Sequence, residues 1–340
     1  MDDRFRDEVL AEMQSIPTVD CHSHTIRPSA YFDAGPRSLF SFTSYFDRTI
    51  ESVTGGPPSR LYEGCTTDAQ RWQRLKPVLA KARNVSYWRH HIVTFRGVFG
   101  FADDDLTDDN WEALNSTIRE RTADRDWYRH VTEDVCSLET QVRNIPWFED
   151  WEPEYFTAIL RMEGALELHG ADARRRLAEH LDCAITDLAS AKTALAELVS
   201  GYQQRGAVGI KLAHAYRRTL HSEPVSGVEA SGTFDRALRG EPLRALQVKR
   251  LQDHMIFFLA SLCAEMGLVF DIHTGVQTNW GNVPDSNPLH LLPLIHRHRA
   301  VRFSLYHGGY PFSRELGMLA KHSPNVWLKE IGRASCRERV

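Results

Sequence analysis

The chain has 340 residues, 42% of them hydrophobic and 25% charged, with a formal net charge of −4. That is enough apolar material for one large α/β domain or two smaller ones, and a slightly acidic balance without a long basic run argues against nucleic acid as a partner. The first residues lack the basic start and apolar stretch of a signal peptide, the apolar segment from Met255 to Ala264 is too short to span a bilayer, and the six cysteines show no paired spacing, so a cytoplasmic protein with no membrane partner and no disulfide framework is expected.

The first element is a short β-branched run, Ile16-Pro17-Thr18-Val19, leading into Asp20-Cys21-His22-Ser23-His24. Strand side chains alternate faces, so His22 and His24 point the same way and can share a divalent cation. Cys21 reads as a buried small hydrophobe rather than a ligand. More than a hundred polar and aromatic residues then precede the next strand, which is expected near Val135 to Val142. Helical segments are expected from Ala69 to Ala82 and from Asn110 to Thr122. This stretch, about residues 28–130, reads as a helical insertion or cap. Within it Arg89-His90-His91 reads as helix surface, because adjacent helical side chains diverge.

From about residue 155 strands alternate with helices. Tyr155 to Leu160 is a strand candidate, followed by an Ala/Leu/Arg-rich helical stretch through Leu198, and Gly206 to Leu212 is a glycine-introduced strand. Leu243 to Met266 has helical periodicity, with Leu251, Met255, Phe258 and Leu262 on one face and Gly267 as its stop. Leu268 to His273, a short helix from Leu289 to Arg297, Val301 to His307, a helix from Ser313 to Lys321 and Val326 to Leu328 complete the series. Repeated strand–helix units argue for a parallel sheet, as a barrel or open. Residues 330–340 back-translate into a string resembling a common short-read sequencing adapter, so residues 331–340 are read as a non-native tail.

The polar residues fall at strand ends. His22 and His24, Lys211, His273 and His307 each close an apolar strand, and in a parallel barrel those ends converge on one mouth. His307-Gly308-Gly309-Tyr310-Pro311 and Gly275 add glycines that allow sharp turns or close backbone approach. The long loop from Ala213 to about Pro242 reads as a lid carrying Arg217 and Arg218, either a grip on an anionic substrate or a solvated basic pair.

With these motifs on hand, the chain resembles the amidohydrolase superfamily of metal-dependent (β/α)8 enzymes. The resemblance rests on Val19-Asp20-Cys21-His22-Ser23-His24, Asp271-Ile272-His273-Thr274-Gly275 and Leu305-Tyr306-His307-Gly308-Gly309-Tyr310-Pro311. It covers strands one to seven and lies nearest the branch with decarboxylases, lactonases and, more distantly, uronate isomerases. It implies an α/β, TIM-barrel domain over residues 1–330, lacking its last strand and helix. It also implies a divalent metal, zinc being the expected ion, held by His22, His24 and His273, with His307 as a ligand or substrate-polarising catalytic group. Lys211, on the fourth strand, would be carbamylated between two metals, contact an anionic substrate, or form a structural ion pair. The superfamily's eighth-strand aspartate has no counterpart here, and Asp271, one layer deeper than His273, does not replace it. The reading is a metal-dependent hydrolase of a small polar or anionic substrate. Its alternatives are a decarboxylase or uronate-type sugar-acid isomerase, and an inactive metal-binding fragment; a homo-oligomer is compatible with all three.

Overall fold

A computed structural model of the chain describes residues 3–42, 45–277 and 281–329. The expected non-native tail, 331–340, lies outside the described residues. The described chain divides into two compact units, one of residues 3–18 and 26–139, the other of residues 19–25 and 140–329.

The second unit is built on one sheet of seven strands in chain order: β1 (Thr18–Ser23), β2 (Leu138–Ile145), β3 (Phe156–Arg161), β4 (Gly209–Leu212), β5 (Val269–Ile272), β6 (Arg302–Tyr306) and β7 (Val326–Lys329). From β2 to β7 every neighbouring pair is parallel. Sequential neighbours joined through helices are the signature of repeated βα units, and α/β architecture is what the alternation of strands and helices predicts. Gly209 opens β4 because nothing larger fits: a Cβ there would lie 2.6 Å from the Val269 carbonyl oxygen on β5.

The helices follow their local signals. Ala245–Met266 buries Leu251, Met255 and Leu262 as the periodicity predicts, and ends on Gly267 with φ +68° and its N–H on the Cys263 carbonyl. Phe258 is only half-buried, with Lys192 Nζ 5.1 Å from its ring centroid. The helical stretch expected through Leu198 is three helices, Glu163–Leu166, Ala171–Leu181 and Leu188–Gln204. The second stops at Asp182, which adopts φ +49°, and the third restarts at Asp187, whose carboxylate caps Ser190 N–H at 2.7 Å. β2 begins three residues later than the sequence pattern suggests.

β1 and β7 are the outer strands of the described sheet. Cys21 is exposed there, not buried as expected, because an outer strand has a neighbour on one side only.

The first unit is helical, and the two segments expected as helices are Asp68–Ala82 and Trp111–Ala123. Thr67 starts the former with a reciprocal capping box to Gln70. The unit has its own aromatic core, in which Trp72 stacks on Trp111 at 5.6 Å and Phe46, Trp88, Ile92 and Phe95 are fully buried. His91 belongs to that core rather than to a helix surface: its ring stacks on Phe95 at 6.3 Å and meets Trp88 at 5.9 Å. Burial, chiefly, lowers its pKa to about 4. The unfolded chain, with an ordinary histidine near 6.5, therefore binds more protons than the folded one as pH falls from 6.5 toward 4. The stability His91 contributes above pH 6.5 is lost across that window. Thermal melts of the protein and of His91→Phe at several pH values should show a shallower acid loss for the variant; equal slopes would contradict the assignment.

Candidate active site

Four imidazoles meet at the carboxyl ends of the sheet. His22 comes from the end of β1 and His24 follows it, with ring centroids 4.5 Å apart, so the alternation rule places both on one face. His273 follows β5 and His307 follows β6; their centroids are 4.4 Å apart and His307 Nε2 lies 3.2 Å from His273 Nδ1. The two pairs are joined through His22, whose ring is 6.4 Å from that of His307 and 4.8 Å from that of Tyr306.

The turns that carry these rings depend on glycine and on an unusual histidine. His307 itself has φ +63°, and Gly308 and Gly309 continue the left-handed turn. Gly275 also has positive φ, and its α-carbon faces the backbone of Gly309 and Tyr310 so closely that no side chain could be accommodated. That contact locks the β5 and β6 turns together, the close approach expected from the two glycine motifs.

Burial sets the charge state. His22 is lowered to about 2, first by burial and then by its ionisable neighbours Lys211, His24, His307 and Lys329, beside which a further positive charge is disfavoured. His24 is lowered by burial and by Arg161, Lys211 and Arg143, and His273 falls well below the ordinary histidine range for the same leading reason. All three rings are neutral near pH 7, the form that offers a lone pair to a cation.

The donor set can hold a divalent cation. His273 Nε2–H donates to the Val276 carbonyl at 2.8 Å, which leaves Nδ1 with its lone pair toward His307. His22 Nδ1 lies 3.0 Å from the Asn144 amide, and Asn144 Oδ1 is buried without a partner. Turning that amide over lets His22 Nδ1–H donate to Oδ1, which satisfies the orphaned atom and frees Nε2. Among the described residues, no three His, Cys, Asp or Glu side chains already surround a common point.

Lys211 lies at the centre of the sheet's polar end. It is 3% exposed, its Nζ sits 2.7 Å from the Tyr306 ring centroid, and it has no hydrogen-bond partner. Burial lowers its pKa well below that of an ordinary lysine, against the opposing pull of Asp271. Among the described residues no carboxylate pairs with its Nζ. Asp271, fully buried, instead accepts from the Tyr306 hydroxyl and pairs with Lys329 Nζ at 3.2 Å, and Lys329 also lies 3.2 Å from that hydroxyl.

The two arginines go elsewhere. Arg217 pairs with Glu167 at 2.7 Å on the surface. Arg218 is tied into the loop after β4, bonding the His221 carbonyl at 3.0 Å and the buried carboxylate of Asp253. Their partners are these carboxylates rather than any member of the histidine cluster. The loop read as a lid is thus anchored by Arg218 to the helix Ala245–Met266.

Sequence reasoning missed Asn144, Tyr306, Lys329, Arg161 and His214. Lys329 was findable: it is the register partner of Tyr306 on β7, one residue past the strand as read from sequence. His214 had no signal. It is 3% exposed with both ring nitrogens unpartnered, and burial, chiefly, lowers it to about 3.

A parallel α/β sheet that gathers neutral imidazoles and buried amines at its carboxyl ends has the layout of the barrel and open-sheet enzymes. The family model described as Amidohydrolase matches residues 149–337, and the chain belongs to that family. Protein fluG of Emericella nidulans is 30% identical over 131 residues, 36% of this chain; the chain spans 15% of that relative's length. Among solved structures, glucuronate isomerase from Caulobacter crescentus matches with a TM-score of 0.75 at 20% identity, covering 93% of this chain and 73% of that one. Uronate isomerase from Thermotoga maritima matches with a TM-score of 0.74 at 13% identity, covering 94% and 77%. A protein assigned as a metal-dependent hydrolase from Lactobacillus casei gives 0.59 at 20% identity, covering 94% and 75%. At these identities the structural likenesses speak for the fold. Among the described residues, no helix is long and apolar enough to cross a membrane.

Proposed function

We propose that the protein is a metal-dependent enzyme, a hydrolase in the first reading, acting on a small substrate that carries a carboxylate. The observation that carries this is the imidazole cluster set beside cationic side chains: Lys329 acts on His22, and Arg161 and Arg143 act on His24. Such a setting favours an anionic ligand over a neutral one of the same shape. His22, His24 and His273 would hold the cation, zinc being the expected ion, with Asn144 and the Val276 carbonyl orienting two of the rings. When bound, a divalent cation supplies electrophilic polarisation of the substrate. His307 donates a hydrogen bond to the oxygen that gains charge. Lys211, whose pKa burial lowers, is the proposed proton acceptor in a dry site, and Arg161 or Arg143, paired here with Glu163 and Glu149, would take the carboxylate by exchanging that partner.

A second reading is a sugar-acid isomerase of the uronate type. It is favoured by the two isomerase structures, which match over 93% and 94% of this chain at higher TM-scores than the hydrolase. Screening the zinc-loaded protein against lactones, amides, aromatic acids and uronates separates the two, because only the isomerase conserves substrate mass. Metal analysis tests what they share. The double variant His22→Ala, His24→Ala should lose its bound metal while keeping the circular dichroism of the parent. Unchanged metal content would sink both readings.

A further inference from the structure

Tyr306 closes β6 and is fully buried, yet it has no role in the chemistry described above. Its hydroxyl is held by charge from two neighbouring strands. It donates to the Asp271 carboxylate on β5 and accepts from Lys329 Nζ on β7 at 3.2 Å, while Lys329 pairs with the same carboxylate oxygen at 3.2 Å. The strand register accounts for this triangle. Tyr306 is the partner of Lys329 across β6 and β7, and Asp271 is the partner of Ser304, two residues before Tyr306 on the same face of β6. A phenylalanine would fill the same space without burying a carboxylate and an ammonium, and a buried ion pair is a weak source of stability. What the network does provide is a ring fixed at both ends, by the backbone at one and by the hydroxyl at the other.

That ring lies against the histidine cluster. The His22 imidazole stands edge-on to it, with centroids 4.8 Å apart and 69° between the planes, and the His307 ring is 6.0 Å away. Lys211 Nζ, which has no hydrogen-bond partner, rests over its face. We infer that Tyr306 is a positioning residue: its ring, pinned by Asp271 and Lys329, holds the His22 imidazole in the orientation that offers its free nitrogen to a metal ion. The inference rests on the reading above that His22 is a metal ligand, and it gives Tyr306 no part in proton transfer. Asn144 contacts one nitrogen of the His22 ring, and Tyr306 limits how far that ring can tilt. Residues that orient a ligand from outside in this way typically contribute about 10–100-fold to metal affinity.

Zinc affinity, measured by competition with a chromophoric chelator, and the visible spectrum of the cobalt(II)-loaded protein test this without a substrate. Tyr306→Phe keeps the ring but releases its outer end. It should weaken zinc binding about tenfold and shift the cobalt bands, with the circular dichroism of the parent retained. Tyr306→Leu removes the ring and should weaken binding roughly a hundredfold; if it does not fold, Tyr306→Phe decides alone. Leu305→Ala is the control for a purely structural role, being equally buried on the opposite face of β6. It should lower the melting temperature while leaving zinc affinity and the cobalt spectrum as in the parent. The positioning role alone is overturned if Tyr306→Phe matches the parent in both readouts while the double variant His22→Ala, His24→Ala loses its metal. It is also overturned if Leu305→Ala changes both readouts as much as Tyr306→Phe does. A parent that binds no zinc, or that keeps it in the double variant, overturns the metal reading and this inference with it.

Discussion

Asp253→Ala should destabilise the sheet unit by about 3–5 kcal/mol, the usual cost of removing one partner from a buried ion pair. Asp253 is 1% exposed within Ala245–Met266, and one carboxylate serves two cations. Its Oδ1 accepts from Arg218, and its Oδ2 accepts from Lys249 Nζ at 2.8 Å and from the Glu223 N–H at 3.3 Å. Arg218, only 11% exposed in its side chain, would be left with a buried charge and no counterion. Lys249, at 32% exposure, can turn to water. The loss is therefore concentrated on Arg218 and on the loop it anchors. Asp253→Asn retains the shape and one acceptor and should cost less. Replacing the pair together, Arg218→Met with Asp253→Leu, should recover part of the stability lost by Asp253→Ala, because no charge is then stranded. Urea denaturation followed by circular dichroism gives the four values. A loss below about 1 kcal/mol for Asp253→Ala would show that water reaches the pair in the folded protein.

This carboxylate also shows what the sequence could and could not convey. The strands from β3 to β7 were legible as short apolar runs bounded by turn residues, because burial within a sheet leaves that mark on the chain directly, whereas β2 is largely polar and only its approximate place was expected. His22, His24, His273 and His307 were legible for the same reason: a polar residue that ends an apolar run stands out, and parallel strands bring such ends together. Arg217 and Arg218 look alike in sequence, both being loop arginines beside a strand end. Only the fold shows that Asp253, thirty-five residues downstream of Arg218, turns back onto it. Cys21 and His91 were misread in opposite directions. An outer strand exposes what its pattern would bury, and an aromatic helical core takes in a histidine that its neighbours in sequence suggest is solvated. His214 and Asn144 carry no local pattern at all, since what distinguishes them is an unpartnered buried atom, a property of the packed molecule.

Lys211→Met should move stability and activity in opposite directions. The buried amine has no hydrogen-bond partner, and an unsatisfied polar group in the interior costs about 1–3 kcal/mol. Methionine has nearly the same length, no such cost, and a thioether that packs well on the Tyr306 ring now under Nζ. The variant should therefore be more stable by about that amount, with an unchanged fold. If the buried amine takes a proton during turnover, its removal should lower kcat roughly 10²–10⁴-fold on whichever substrate the screen identifies. Metal content should be retained, because the proposed ligands are histidines. Lys211→Arg provides the control. Guanidinium cannot lose its proton there, so a charge would be forced into the interior and both stability and activity should fall. A Lys211→Met protein that is less stable but fully active would assign the residue to structure. Gain of stability with loss of turnover is the pattern of a group held at an energetic cost for its chemistry, and it would place Lys211 in the reaction independently of which substrate proves to be the right one.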